Sequence, residues 1–177
     1  MKFKKTKICF VLVLFICLLL DGVLTQQLSS YFFSSNFKMI PELALLWIIF
    51  SLFFLSDDVL NGSLTIIYLS TILVGIIFDF FYIGYWGIYI FIFPLVVWIM
   101  TYLRIFFNKS ILSMIIITIL CISLSMFISW NMSLIMGICS LSFVNFMVNN
   151  LFPTLLLNEV LVIFTYFPLK KLILFIS

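Results

Sequence analysis

The sequence contains no histidine and very little charge. Its 177 residues include nine Lys or Arg and six Asp or Glu, or 8% charged residues, against about 25% in average soluble domains. Without histidine, the commonest general base and the commonest metal ligand are missing. The scarcity of charge excludes a soluble domain of this size, and a net charge of +3 leaves no basic surface of the kind that binds nucleic acid.

Motifs for catalysis and metal binding are also missing. No Gly-rich phosphate loop, G-x-S-x-G elbow or H-E-x-x-H sequence is present. The pair Asp57-Asp58 has no third carboxylate near it in the sequence. No C-x-x-C pair occurs, so cysteine spacing indicates neither a disulfide framework nor a zinc site; the four cysteines are Cys9, Cys17, Cys121 and Cys139. We therefore predict no enzyme activity, catalytic residue, metal ion or cofactor.

Long apolar runs, by contrast, recur along the whole chain, which is 66% hydrophobic. This pattern is typical of a polytopic α-helical membrane protein. The first run follows four lysines, as in a signal peptide, but no small-x-small cleavage site comes after it, so we predict an uncleaved helix. Residues 1–177 are predicted to form one all-α membrane domain, a six-helix transmembrane bundle in the lipid bilayer with spans at about 8–24, 41–56, 63–83, 86–103, 110–130 and 153–170.

The segment at about 132–150 departs from this pattern. Its apolar stretch, 134–147, would rise only about 21 Å as a helix, short of a hydrocarbon core about 30 Å thick. Ser140, Ser142 and Asn145 interrupt it. We predict an interfacial or re-entrant helix on the outer side, and a true crossing stays open as an alternative.

Basic residues collect on one side of the predicted bundle. Eight of the nine fall on the side of the N-terminus, and only Lys38 falls opposite. Because Lys and Arg are enriched in cytoplasmic loops, we predict that both termini are cytoplasmic. The eight residues are Lys2, Lys4, Lys5, Lys7, Arg104, Lys109, Lys170 and Lys171.

One carboxylate, Asp79, stands alone in an apolar run from Leu64 to Phe81. A carboxylate at mid-bilayer costs about 2.5–3.5 kcal/mol, so such a residue usually faces protein or a wet cavity. Helix rise places Asp79 and Asn158 at similar depth, in the outer third of the membrane. We expect Asp79 to pair with Asn158, Tyr82 or main-chain groups of residues 131–152.

Two short patterns carry a family resemblance. The first is Gly75-x-x-x-Asp79 followed by Gly84 and Gly87, within residues 72–103. The second is Pro153-Thr-Leu-Leu-Leu-Asn158, which opens the last span, within residues 153–170. With six spans and a basic N-terminus, the chain resembles the MreD family of rod shape-determining membrane proteins. The matching positions, to which the resemblance gives structural or partner-binding roles, are Gly75, Asp79, Gly87, Pro153 and Asn158.

The resemblance implies a non-enzymatic scaffold of the cell-wall elongation and cell-shape machinery in the bacterial plasma membrane. Such a scaffold binds MreC and helps to position peptidoglycan synthases, the transglycosylase and transpeptidase enzymes. In rod-shaped cells the same machinery includes MreB.

The MreD family is also similar in fold to the substrate-binding S-components of energy-coupling-factor transporters. The alternative is therefore a vitamin or micronutrient uptake subunit. Such subunits dock through small residues, typically Ala-x-x-x-Ala, in the first helix. Residues 8–20 contain neither alanine nor glycine, and bulky side chains prevent close helix approach. A membrane chaperone or immunity-type protein is a third alternative.

Overall fold

The computed structural model describes residues 2–27, 37–83, 87–138 and 140–176, without the side chains of residues 2–5, 83 and 176. The described part has an all-helical architecture, as predicted, and contains five helices long and apolar enough to cross a membrane. The helices are α1 (Lys2–Gln27), α2 (Leu43–Phe54), α3 (Asp57–Phe78), α4 (Tyr89–Phe106), α5 (Ile111–Ile135), α6 (Phe143–Phe146) and α7 (Phe152–Ile176).

Two π-helical turns modify the ends of these helices. One, Asp79–Ile83, continues α3, and the other, Met147–Leu151, joins α6 to α7. Residues 143–175 therefore form one candidate span of 33 residues. Such π turns insert into α-helices and are frequent at functional sites.

The chain is a multi-pass membrane protein, and its outer surface shows why. Many large apolar side chains of α1, α4, α5 and α7 are exposed at the bundle surface, as expected for residues that face lipid. Examples are Leu12, Phe91, Phe106, Leu112, Leu156, Phe164 and Phe167.

Helix α2 differs from the lipid-exposed helices, because it is short and lies at the centre of the bundle. Its 12 residues rise about 18 Å, less than a hydrocarbon core about 30 Å thick. Every residue from Ala44 to Phe54 is buried, and α2 packs against α1, α4, α5 and α7. A helix that is hydrophobic all round belongs in a core. Both its ends therefore lie inside the bundle, where their unpaired backbone groups need protein partners.

Helices α3 and α4 form the most extensive helix pair, and Gly75 permits their contact. A Cβ atom at Gly75 would lie 2.7 Å from the carbonyl oxygen of Tyr89 and 2.9 Å from Cα of Ile90. No side chain fits in that space, so glycine allows α3 to touch the first turn of α4.

The segment predicted as interfacial or re-entrant, 132–150, divides between two helices. Its first residues complete α5, and the chain then turns at Gly137, which has φ +70°. Ser142 caps the next helix by accepting a hydrogen bond from Asn145 N at 3.4 Å, and residues 143–151 continue into α7. Cys139 lies outside the described residues. The depth of this segment in the bilayer stays a prediction.

Candidate functional site

Charged side chains collect at two opposite ends of the bundle, buried at one end and partly exposed at the other. The acidic end is defined by Asp21, Glu42 and Asp79, around the N-termini of α2 and α4. The basic end is defined by Arg104 and Lys109, around the C-terminus of α2. Helix termini leave N–H or C=O groups unpaired, and each such group costs several kcal/mol in hydrocarbon. Most of these side chains bond to those backbone groups.

Asp79 caps helix α4. Its side chain is fully buried, and its Oδ1 accepts a hydrogen bond from Tyr89 N at 2.8 Å. Its Oδ2 accepts hydrogen bonds from Gly87 N at 2.9 Å and from Ile90 N at 3.3 Å. The local N-cap residue, Ile88, has no side-chain cap. A carboxylate here also meets the positive end of the α4 dipole.

These contacts correct the expected partners of Asp79. Asn158, Tyr82 and the main chain of residues 131–152 were expected. Among the described residues, the hydrogen bonds that Asp79 accepts instead come from the start of α4 and from Gly87 just before it. Tyr82 instead donates to Leu18 O on α1 at 3.1 Å.

Gly75, Asp79 and Gly87 thus belong to one helix junction. Gly75 brings α3 against the first turn of α4, and Asp79, one turn later, caps that turn. Gly87 has φ +105° with open space around its Cα, so its requirement is conformational: L side chains rarely adopt that angle. Gly84, also part of the family-like pattern, lies outside the described residues.

Asn158 holds residues 40–42, the segment that leads into α2. It is fully buried, and its Oδ1 accepts from Glu42 N at 3.0 Å. Its Nδ2 donates to Ile40 O at 2.9 Å and to Thr154 O, within its own helix, at 2.8 Å. Thr154 assists, since its hydroxyl accepts from Ile40 N at 3.2 Å. Asn158 is therefore tied to the α1–α2 connection and not to Asp79.

Pro153 contributes to the same contact because proline lacks a backbone N–H group. Position 153 therefore cannot donate an α-helical hydrogen bond to the carbonyl of Asn149. That carbonyl accepts Lys38 N at 2.8 Å. Pro153 and Asn158 thus anchor residues 38–42 to the start of α7.

Asp21 has a role that sequence reasoning missed. Its Oδ1 accepts from Leu43 N at 2.7 Å, and its Oδ2 accepts from Ala44 N at 2.9 Å. Asp21 on α1 therefore caps α2, as Asp79 on α3 caps α4. The sequence does contain a signal for this cap. Asp21 is an acid near the end of one apolar run, and a short apolar run follows it.

Glu42 lies beside this cap but has few partners. It is 4% exposed, and its Oε2 accepts from the Ser125 hydroxyl at 3.3 Å. Its Oε1 is buried and has no hydrogen-bond partner among the described residues. Glu42 therefore lies inside the bundle, beside the cap of α2.

The basic end closes the other terminus of α2. Arg104 Nη2 donates to Leu55 O at 2.6 Å and to Asp57 Oδ1 at 2.9 Å. Lys109 Nζ donates to Phe54 O at 3.4 Å. Partial burial, and secondarily the Arg104 charge, lower the pKa of the Lys109 ammonium. Cations near a helix C-terminus interact favourably with the negative end of the helix dipole.

Chemically, this arrangement joins helices to one another through hydrogen bonds to their termini. Within the described ranges, no cluster of three or more His, Cys, Asp or Glu side chains could hold a metal ion. The buried acids of the two caps each accept hydrogen bonds from backbone N–H groups.

Comparison with known families decides the classification. A family model described as "rod shape-determining protein MreD" matches residues 6–176. The chain belongs to the MreD family. The resemblance predicted from the two short patterns is therefore confirmed. Searches of curated proteins and of solved structures gave no match.

Membership of the MreD family gives this protein a role in rod shape determination. The family consists of structural membrane proteins associated with the cell-shape machinery and is not known as enzymatic. The helical bundle and its lipid-facing surface agree with that placement.

Proposed function

We propose that this chain is a non-enzymatic scaffold of the cell-wall elongation machinery, which binds MreC and helps to position the peptidoglycan synthases. In rod-shaped cells its machinery includes MreB. The observation that carries the proposal is the MreD family match over residues 6–176. The geometry of the buried polar groups supports it, since the caps fix helices against one another.

A scaffold needs binding surfaces of constant shape, so its helices must be held in fixed positions against one another. The caps at Asp21 and Asp79 fix the starts of α2 and α4, and Asn158 fixes the entry to α2. The lipid-facing surfaces of the longer helices are then held in register. Gly75, Asp79, Gly87, Pro153 and Asn158 would act on partners through this fold, because the side chains of Asp79 and Asn158 are fully buried.

The orientation proposed from charge places the basic end, with both termini, in the cytoplasm. Lys38 lies with the acidic end, where its N–H meets Asn149 O. In a cysteine-free background, Lys38→Cys should react with a membrane-impermeant maleimide in intact cells. Lys171→Cys should react only after permeabilisation. The reverse labelling pattern would contradict the orientation.

Capture of MreC tests the proposed function. The tagged full chain should co-purify with MreC from detergent-solubilised membranes, and its depletion should turn rod-shaped cells round. Folded, membrane-inserted protein that captures no MreC would overturn the scaffold. Co-purification of an ATPase, or tight vitamin binding, would instead support the uptake-subunit alternative.

Asn158→Ala separates a role in folding from a role in binding. Removing the amide leaves Glu42 N and Ile40 O without their partner. We expect less folded protein and unchanged MreC capture per folded molecule, measured by size-exclusion chromatography and quantitative pull-down. Normal stability with lost capture would instead make Asn158 a direct binding residue.

A further inference from the structure

Two neighbouring cavities lie at the acidic end of the bundle. Their volumes are about 130 and about 320 Å³, and Ile40, Tyr89 and Ser129 line both. The larger cavity is also lined by Tyr82, which is 41% exposed. It therefore reaches the surface of the bundle, and the smaller one lies beside it.

The smaller cavity holds two polar groups that the protein leaves unpaired. It is lined by Glu42 and Trp130. Glu42 Oε1 and Trp130 Nε1 are buried and have no hydrogen-bond partner in the part of the chain that the structure describes. Folded proteins rarely leave such groups unpaired, because each costs about 1–3 kcal/mol. An unpaired acceptor and an unpaired donor on two residues that line one cavity point to an occupant with both kinds of group.

The charge of the two cavities selects the kind of occupant. Each is lined by one carboxylate, Glu42 in the smaller and Asp21 in the larger, and neither lining includes Lys or Arg among the described residues. Both Asp21 oxygens already accept N–H groups of α2, so Glu42 has the free oxygen. Aromatic rings of Tyr89, Trp130 and Phe146 complete the smaller lining. A carboxylate among aromatic faces favours an ammonium group.

We propose that Glu42 and Trp130 form a binding site for a small amino alcohol, or its phosphate ester, at the acidic end. Glu42 Oε1 accepts hydrogen bonds from the ammonium group, and Trp130 Nε1 donates to the ligand oxygen. The ligand is either a free small amine or the ethanolamine headgroup of a phospholipid, since both have the same two groups. This site goes beyond the scaffold function and does not depend on it.

Radiolabelled ethanolamine is the direct probe for the free ligand. The full chain, reconstituted in phosphatidylcholine nanodiscs, should bind it saturably in equilibrium dialysis, and unlabelled ethylene glycol should not compete. Glu42→Gln should weaken binding about tenfold or more, as expected for loss of a charge-assisted hydrogen bond. Trp130→Phe keeps the ring without the N–H and should weaken binding severalfold.

Glu159→Gln is the matched control. Glu159 also has one buried oxygen without a partner in the described chain, Oε2, and its Oε1 accepts one hydroxyl, that of Thr118 at 2.7 Å. It lines neither of the two cavities. Glu159→Gln should bind ethanolamine like the wild type. Size-exclusion chromatography confirms that each variant is folded.

The lipid arm uses nanodiscs that contain phosphatidylethanolamine. If the headgroup is the ligand, these discs should abolish binding of free ethanolamine, and phosphatidylethanolamine should co-purify with the wild type but not with Glu42→Gln. No saturable binding in either arm would mean that water alone fills the cavity, which would overturn the proposal. Equal competition by ethylene glycol, or equal losses in the Glu42 and Glu159 variants, would also overturn it.

Discussion

The two ends of α2 are closed by the same device with opposite charge. At its N-terminus, Asp21 of α1 accepts two backbone N–H groups. At its C-terminus, Arg104 of α4 and Lys109 donate to Leu55 O and Phe54 O. Each charge is opposite in sign to the end of the helix dipole that it faces: the carboxylate faces the positive N-terminus, and the cations face the negative C-terminus.

The two ends differ in their access to solvent. Asp21 and the side chain of Arg104 are only 3% and 6% exposed, whereas Lys109 is exposed and the side chain of Asp57 is 85% exposed. The basic end keeps a second donor, Lys109, if Arg104 is lost, whereas Asp21 supplies both acceptors for the N–H groups of Leu43 and Ala44. A short helix can therefore sit inside a membrane bundle if its buried end has a protein cap, and substitutions at the acidic end should cost more.

Asp21→Ala should have the largest effect of the α2 substitutions. It leaves Leu43 N and Ala44 N unpaired in a buried site, so we expect a loss of about 2–4 kcal/mol in the free energy of unfolding. The measurement is unfolding in mixed SDS micelles. Asp21→Asn retains one acceptor and should lose about half as much. An Asp21→Ala protein as stable as the wild type would refute the cap.

Arg104→Ala should have an intermediate effect of about 1–2 kcal/mol in the same assay. Lys109 still donates to Phe54 O at the same end of α2. Arg104→Lys should recover only part of the loss, because both bonds of Arg104 come from Nη2, which lies one covalent bond further from the backbone than a lysine Nζ. A loss greater than that of Asp21→Ala would reverse the proposed difference between the two ends.

Asp57→Ala should have the smallest effect, about 0.5 kcal/mol or less. Its ion pair with Arg104 is exposed on the Asp57 side, and such pairs contribute little. Arg104 keeps its bond to Leu55 O. A loss equal to that of Arg104→Ala would show that the ion pair, and not the backbone cap, holds this end.

Much of the fold could be predicted from sequence, because long apolar runs specify helices directly. The pattern of Gly75, Asp79 and Gly87 identified the family, but its physical meaning required the structure. The N–H partners of Asp79 lie eight to eleven positions later along the chain, across a turn that hydropathy does not describe. Apolar length alone could not show that α2 ends inside the bundle.

The segment at 132–150 shows a second limit of sequence reasoning. Its polar residues suggested a separate helix, whereas residues 143–151 run into α7 through a π turn. Periodicity does not reveal that continuation. Pro153, predicted at the start of the last span, lies in the first turn of α7, within the longer candidate span 143–175. The hydrogen bond from Lys38 N to Asn149 O joins distant segments, so the sequence pattern could not reveal it.

The central claim is that the lone acid Asp79 acts as the cap of α4, and amide hydrogen exchange of Asp79→Ala tests it most directly. Residues 87–93 should exchange faster than in the wild type, while residues 114–122 in α5 should keep their protection. Asp79→Asn should give an intermediate result, since one amide oxygen still accepts. Unchanged exchange at 87–93 in a folded Asp79→Ala protein would contradict the account.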